Sequence, residues 1–501
     1  MYPESFLKSI NSAIFWRGFS KLSGLAKHVI IAGVIGLSAQ LDSFFMMMAL
    51  LGILVLSWGE MVDIMAVPHM VQSWQKGDTE EFKKIASGYM TLTLLGSLLL
   101  ASLIYFFRDK LPLLAIGFET ERGQLLIDAV PWLLPAIIFY IPFRHIGAVL
   151  RAKRQFSPLY QAEFLLSLAT LLCVGFFNQQ HNVLFWSYSL GIMGAFLYLL
   201  VRNWRFFLPL GNPFSLTVRQ SLVMAPGLFI LQSAQYVYVL TDQIFVSFLP
   251  TGMVSALFYA TILIYLLPSV IGLDSAFITV ISEQTDKQQR TKKINDLLAL
   301  VIFFSLGATL FILVAGKNVI AMLLERGLFT TADTQSVAIA LMAYSGVILP
   351  SFLNKPFDQI FQVERKIGLI VRRTVLGFMT NLILNSVFLF IFHWGLFGIA
   401  LSTSISYWVM LLTSLQALRK IGYPIDLLRA LKWGMWLALF LAITYFCCRF
   451  VLIYFTNNLV ILASCALLVA GALFLAALFY QGEEKKLIKM VIERYKTFSL
   501  V

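Results

Sequence analysis

Charge is scarce in this sequence. Asp, Glu, Lys and Arg make up 13% of its 501 residues, and 59% are hydrophobic. Soluble domains carry roughly 25% and about 45–50% respectively. The deficit excludes a soluble globular chain, and 44 Phe exclude a disordered one. Cysteine is scarce too. Cys173, Cys447, Cys448 and Cys465 all lie in apolar runs, and the only close pair is adjacent, so neither a disulfide framework nor a zinc site follows. The five His lack metal-ligand spacing. There is no phosphate-binding loop, dinucleotide fingerprint or nucleophile elbow, so nothing points to ATP use or covalent catalysis.

Apolar runs fill the space that charge leaves, and mean hydropathy is +0.83. A bilayer-crossing helix needs about 20 mostly apolar residues. Fourteen such stretches stand near residues 10–37, 43–70, 85–106, 123–150, 160–177, 184–201, 222–247, 254–282, 297–316, 334–361, 369–392, 395–417, 431–454 and 458–480. Sorting Lys and Arg by alternate loops puts 26 in one set of loops with the C-terminal tail. The other set holds five: Arg108, Lys110, Arg122, Lys317 and Arg326. Cytoplasmic loops are the Lys/Arg-rich ones, so both termini are expected inside. The formal charge of +13 then reflects topology rather than nucleic-acid binding. The first segment is too long and too polar for a cleaved signal peptide, and the short outer loops leave no room for a folded outer domain. A weak repeat links the run from Arg151 to the run from Val363, and Leu41 to Val254. The offset of about 212 residues suggests two parallel six-helix halves.

Ionisable side chains at the bilayer centre cost about 2.5–3.5 kcal/mol on insertion scales, so they mark cavities or partners. Span one carries Arg17, Ser20, Lys21, Gly24, Lys27 and His28, within an arc of about 120°. This stripe is expected to line water or meet anions. Asp42 opens span two, and Glu60 follows about five helical turns later on the same face, so both are expected to face the cations. Arg144 and His145 in span four, Asp274 in span eight, and Lys355 with Asp358 in span ten add polarity. The last two are three apart and expected to satisfy each other. Asp242 of span seven, Asn381 and Asn385 of span eleven and Thr403 of span twelve offer oxygens of the kind a hard cation such as Na⁺ takes. Asn pairs in membrane helices also hydrogen-bond between helices.

The run LLERGLFTTADT (Leu323 to Thr334) resembles the FERG-x-FT-x-x-D-T signature of the MurJ/MviN family of lipid-linked cell-wall precursor flippases, within the multidrug/oligosaccharidyl-lipid/polysaccharide exporter superfamily. FSKLSGLAKH (Phe19 to His28), LDSFF at Leu41, Glu60, GAVLRAKRQFSP (Gly147 to Pro158) and VSALFYA (Val254 to Ala260) extend the resemblance nearly end to end. It implies an all-α polytopic membrane protein of 14 transmembrane helices. Two six-helix lobes form a V around a cationic cavity, and two C-terminal helices make a groove for a polyprenyl chain. Residues 1–205 and 206–420 are then the lobes, and 421–501 the extra pair with a cytoplasmic tail.

The resemblance further implies a monomeric flippase of the bacterial inner membrane rather than an enzyme, without catalytic residues or a bound metal. Its substrate would be an undecaprenyl-diphosphate-linked glycan, first of all lipid II, carried from the inner to the outer leaflet by alternating access. Ser20, Lys21, Lys27, Asp42, Glu60, Arg144 and Lys355 would bind it. Asp242, Asn381, Asn385 and Thr403 would be counterparts of a sodium site seen in some members. Coupling would come from Na⁺ or the membrane potential, with no other cofactor, and partners would be the glycan lipid and membrane lipids. Three departures stand out. Lys21 and Lys27 replace arginines, keeping charge but losing the bidentate fork. Val55 and Ile262 replace two cavity arginines, and Tyr265 replaces an acidic residue. These leave open another polyprenyl-linked oligosaccharide as cargo and, more remotely, a polytopic glycan-modifying enzyme.

Overall fold

The computed structural model describes residues 3–180, 182–207, 210–271, 287–480, 482 and 484, without the side chains at 3–11, 13, 14, 231, 235, 267–271 and 355. Among the described residues there is no strand. The long helices are α1 (Pro3–Ile35), α2 (Ala39–Gln75), α3 (Thr79–Phe106), α4 (Thr120–Ala152), α5 (Ser157–Phe176), α6 (Val183–Asn203) and α7 (Ala225–Val246). They continue as α8 (Met253–Ile271), α9 (Lys287–Leu324), α10 (Thr331–Val363), α11 (Ile367–Ile391), α12 (Gly395–Lys420), α13 (Leu427–Tyr454) and α14 (Asn458–Phe479). Twelve helices among the described residues are long and apolar enough to cross a membrane. The chain is thus an all-helical polytopic membrane protein. The other two are α7, which counts as two shorter apolar stretches, and α8. The expected eighth span runs past Ile271, and Asp274 lies outside the described residues.

Helix ends follow local chemistry. Ser38, Asp78, Asp426 and Asn457 precede α2, α3, α13 and α14, and each side chain accepts a hydrogen bond from a first-turn N–H. These groups have no partner within the helix, so the caps fix where the helices start. At 38 residues, α9 is about 57 Å long, well beyond the roughly 30 Å hydrocarbon core. Its polar first turns, Lys287 to Asn295, fit that excess.

The helices fall into two compact units. The first comprises Met1–Ser255 with Arg326–Thr330, the second Ala256–Glu325 with Thr331–Val501. In the first, α1 packs along α5, and α4 is central, touching α2, α3 and α6. In the second, α11 packs on α12, while α13 and α14 pack on each other and on α9. Trp433 of α13 is fully buried and donates from Nε1 to the Ala299 carbonyl at 3.0 Å.

The first unit also holds Arg326–Thr330, five of the six residues between α9 and α10. The Leu328 N–H donates to the Gly33 carbonyl at 2.7 Å, giving a partner to a C-terminal carbonyl of α1. Gly36, just past α1, has φ +65°, and a Cβ there would meet the Leu328 oxygen at 2.9 Å. Gly36→Ala is therefore expected to destabilise by about 2 kcal/mol, read as a lower thermal midpoint of the purified protein. Gly96→Ala adds a Cβ with no atom within 4 Å in the middle of α3, and should leave the midpoint unchanged or raise it. Equal effects at the two positions would contradict this reading of the Gly36 turn.

Candidate functional site

On α1, Lys21 is exposed and Lys27 half-buried. Neither has an ion-pair partner among the described residues. The polar stripe around them is divided. Ser20 donates to Glu163 of α5 at 3.2 Å, and a Cβ on Gly24 would lie 4.0 Å from Ser167 Oγ. The middle of the arc is thus a seam against α5, and the cations flank it. His28 lies against Phe45 of α2, ring centroids 6.4 Å apart.

Asp42 does not face the cations as expected. Its side chain is 0% exposed and accepts from the Gly252 N–H at 2.7 Å, the Ser255 N–H at 2.8 Å and Ser255 Oγ at 2.6 Å. Arg122 Nη1 stands 3.7 Å away. Arg122, which sequence order places in an outer loop, lies in the first turn of α4, buried, and donates to the Ser247 and Leu249 carbonyls at 3.4 Å. The pair therefore grips the turn between α7 and α8 from both sides, carboxylate on N–H groups and guanidinium on carbonyls.

Asp42 and Glu60 part company because α2 contains a π turn over Gly52–Leu56, whose first carbonyl also accepts from Ser57 Oγ at 3.1 Å. An i→i+5 turn takes more residues per revolution than an α turn, so the 3.6 period no longer places the two on one face. Space is made for their neighbours by glycine. A Cβ on Gly52 would strike Tyr236 Cδ1 at 2.6 Å, and one on Gly59 would lie 3.0 Å from Arg144 Cγ. Tyr236 of α7 uses this room to donate its hydroxyl to Glu60 Oε1 at 2.9 Å. Val55 is buried inside the π turn.

Arg144 is engaged by Asp63, a residue the sequence reading passed over. Arg144 Nη2 lies 2.7 Å from Asp63 Oδ2, and Arg151 Nη2 lies 2.6 Å from Asp63 Oδ1. Two spacings pointed to this trio. Asp63 is one turn beyond Glu60, and Arg144 and Arg151 are two turns apart on one face of α4. Glu163 was missed as well, because its partner Ser20 carries no charge.

In the second unit, Asp358 pairs with Arg373 of α11 rather than being left to Lys355. Arg373 also donates to the Asn354 carbonyl at 3.3 Å, Asn354 Oδ1 at 3.1 Å and Ser414 Oγ at 3.0 Å. It lies inside α11 and is buried there. The Lys355 side chain lies outside the described residues. Asn381 Nδ2 donates to Thr403 Oγ1, and Asn385 Nδ2 to Asn381 Oδ1, both at 3.1 Å, while Ser402 Oγ donates to Asn385 Oδ1. Three of the side chains expected to hold Na⁺ thus form a hydrogen-bonded ladder between α11 and α12. Asp242 is buried on α7, in the first unit. Asn385→Ala is expected to cost about 1 kcal/mol of stability. If the ladder is purely structural, the thermal shift should be the same in sodium and potassium buffers, and a sodium-specific shift would show that a cation binds there.

Glu325 of the LLERGLFTTADT run accepts from Thr331 Oγ1 at 2.8 Å and Thr334 Oγ1 at 2.7 Å, so it ties the start of α10 to the end of α9. The Thr334 bond, then that from Thr331, holds its carboxyl below the usual range.

Known proteins share both the sequence and the fold. A "Probable lipid II flippase MurJ" of Vibrio cholerae is 24% identical over 424 residues, covering 77% of this chain and 78% of the relative. One of Rickettsia prowazekii is 26% identical over 351 residues, covering 65% and 67%. The solved structure "Lipid II flippase MurJ, inward closed conformation" superposes with a TM-score of 0.79 at 20% identity, over 95% of this chain and 99% of that one. A multidrug resistance MATE family transporter of the MOP superfamily, in an inward-facing conformation, gives 0.64 at 15% identity, over 80% and 94%. Residues 31–485 match the family model "Lipid II flippase MurJ", and the chain belongs to the MurJ family.

Proposed function

We propose that this chain is a flippase of the bacterial inner membrane that carries lipid II from the inner to the outer leaflet, and that it is a transporter rather than an enzyme. The observation that carries the reading is the family match over residues 31–485. Lys21 and Lys27 support it, since cations without ion-pair partners among the described residues are suited to a diphosphate. Charge in hydrocarbon is prohibitively expensive. A headgroup therefore crosses only if a polar site takes it up at one face and opens to the other, while the polyprenyl chain stays in lipid or against α13 and α14.

The reading includes fourteen spans with both termini inside, supported by 26 against five basic residues in alternate loops. It further includes two six-helix lobes and two additional helices, acting as a monomer. Lys21 and Lys27 hold the diphosphate, and Ser20, Glu60, Arg144 and Lys355 contact the polar headgroup. Asp42 acts through the α7–α8 turn that it grips. The membrane potential, acting on the charged headgroup, supplies direction.

The test is supply of this gene to a strain depleted of its lipid II flippase, with lipid II at the outer leaflet measured by an enzyme added outside the cells. Restored growth and outward lipid II are expected. Restored protein without either would overturn the reading.

A further inference from the structure

The trio of Asp63, Arg144 and Arg151 has a composition that a purely structural ion pair does not need. One carboxylate is shared by two guanidiniums, each oxygen facing one of them. The side chains are 12%, 23% and 27% exposed, so they are reachable yet partly removed from water, where charge interactions strengthen. Arg144 Nε is buried with no hydrogen-bond acceptor. Arg144 is held in place by close packing of its stem on Gly59. Arg151 is in the last turn of α4, and Arg144 lies about 10 Å further along the helix axis. Both heads nevertheless converge on the one carboxylate, and paired guanidinium forks suit phosphate oxygens, which they bind bidentately.

We propose that Asp63, Arg144 and Arg151 form an anion-exchange site, in which a phosphate group of a lipid diphosphate displaces the Asp63 carboxylate from the two arginines. The inference rests on the flippase reading and adds to it an anion-binding trio on α2 and α4. The carboxylates nearby each have a hydroxyl partner: Glu60 holds Tyr236, and Glu163 holds Ser20. Their charge acts on Arg144 together with that of Asp63. With the site empty, these acids keep buried guanidinium charge compensated. With an anion bound, the released Asp63 competes for the arginines, so the anion is held without being trapped. A transported ligand requires both.

Binding of undecaprenyl diphosphate to the purified full-length protein, measured by thermophoresis in a zwitterionic detergent, tests this. Removing one arginine should weaken binding about tenfold in Arg144→Gln and Arg151→Gln. Asp63→Asn, which frees both forks, should tighten it about threefold. The exchange Asp63→Arg with Arg144→Asp recreates an ion pair and should bind as weakly as Arg144→Gln. If a Gln variant does not elute as a single species, Arg144→Lys keeps the pair, loses the fork, and should still bind several-fold more weakly. Inorganic pyrophosphate and phosphatidylglycerol, run in parallel, should follow the same order of variants at lower affinity. If either binds more tightly than the lipid diphosphate, the assignment to that lipid is overturned. If Asp63→Asn weakens binding and the exchange restores it, the trio is a structural pair and the proposal fails. Wild-type protein that binds no undecaprenyl diphosphate counts against the flippase reading itself.

Discussion

Lys21→Glu is expected to abolish the appearance of lipid II at the outer leaflet while the protein stays in the membrane at its normal level. Two unit charges about 4 Å apart interact by about 1 kcal/mol in water and about 4 kcal/mol at an effective dielectric of 20. Reversal replaces attraction by repulsion, so the shift in headgroup binding is about twice that, roughly 2–8 kcal/mol. Even the middle of this range is more than a thousandfold in affinity. Lys21 is exposed and ion-pairs with no carboxylate among the described residues, so its reversal breaks no internal pair and the level of folded protein should not fall. Lys21→Arg is the companion variant. It keeps the charge and adds a fork that fits phosphate, so it should transport at least as well as wild type. Outward lipid II in cells carrying only Lys21→Glu would remove Lys21 from the headgroup site.

The helices were legible in the sequence because the bilayer imposes a length and an apolar composition that no soluble protein needs, and their ends carry ordinary capping residues such as Ser38 and Asp426. What the polar residues do was legible only in part. The 3.6 period put Asp42 and Glu60 on one face, and the π turn over Gly52–Leu56 undid that. Nothing in the apolar run GILVL announces such a turn, and the close approach of Tyr236 to Gly52 within it comes from a helix far along the chain. Arg122 counts with the outer loops because a charge normally ends a span, and Arg373 falls near the start of the expected eleventh span with no partner in sight along the sequence. Both are buried, the first on carbonyls of the α7–α8 turn and the second on Asp358, Asn354 and Ser414. Partners from distant helices make such burial tolerable, and distance along the chain hides them. Asp63 could have been found, since its two arginines share a helix face with the spacing that a single carboxylate between them requires.

Asp42→Ala is expected to destabilise the protein by about 3–5 kcal/mol, the largest effect on folding foreseen for any position discussed. The carboxylate is fully buried and serves two N–H groups, one hydroxyl and, at longer range, the Arg122 guanidinium. Alanine would leave the Gly252 and Ser255 amides without an acceptor and Arg122 without a counter-charge, and each unsatisfied buried donor costs about 1–3 kcal/mol. The loss should be local before it is global. Amide hydrogen exchange should accelerate at Gly252 and Ser255 while the buried core of α4 stays protected. Asp42→Asn keeps the shape and one acceptor oxygen but turns an amide NH₂ toward the Gly252 N–H, or else loses Ser255. It should fall between wild type and alanine. The two roles open to Asp42 separate cleanly here. A residue that only touched the headgroup would lose transport in Asp42→Ala with unchanged exchange at Gly252 and Ser255. A residue that grips the α7–α8 turn loses both together, and Arg122→Gln, which releases the same turn from its carbonyl side, should reproduce the exchange pattern without altering Asp42.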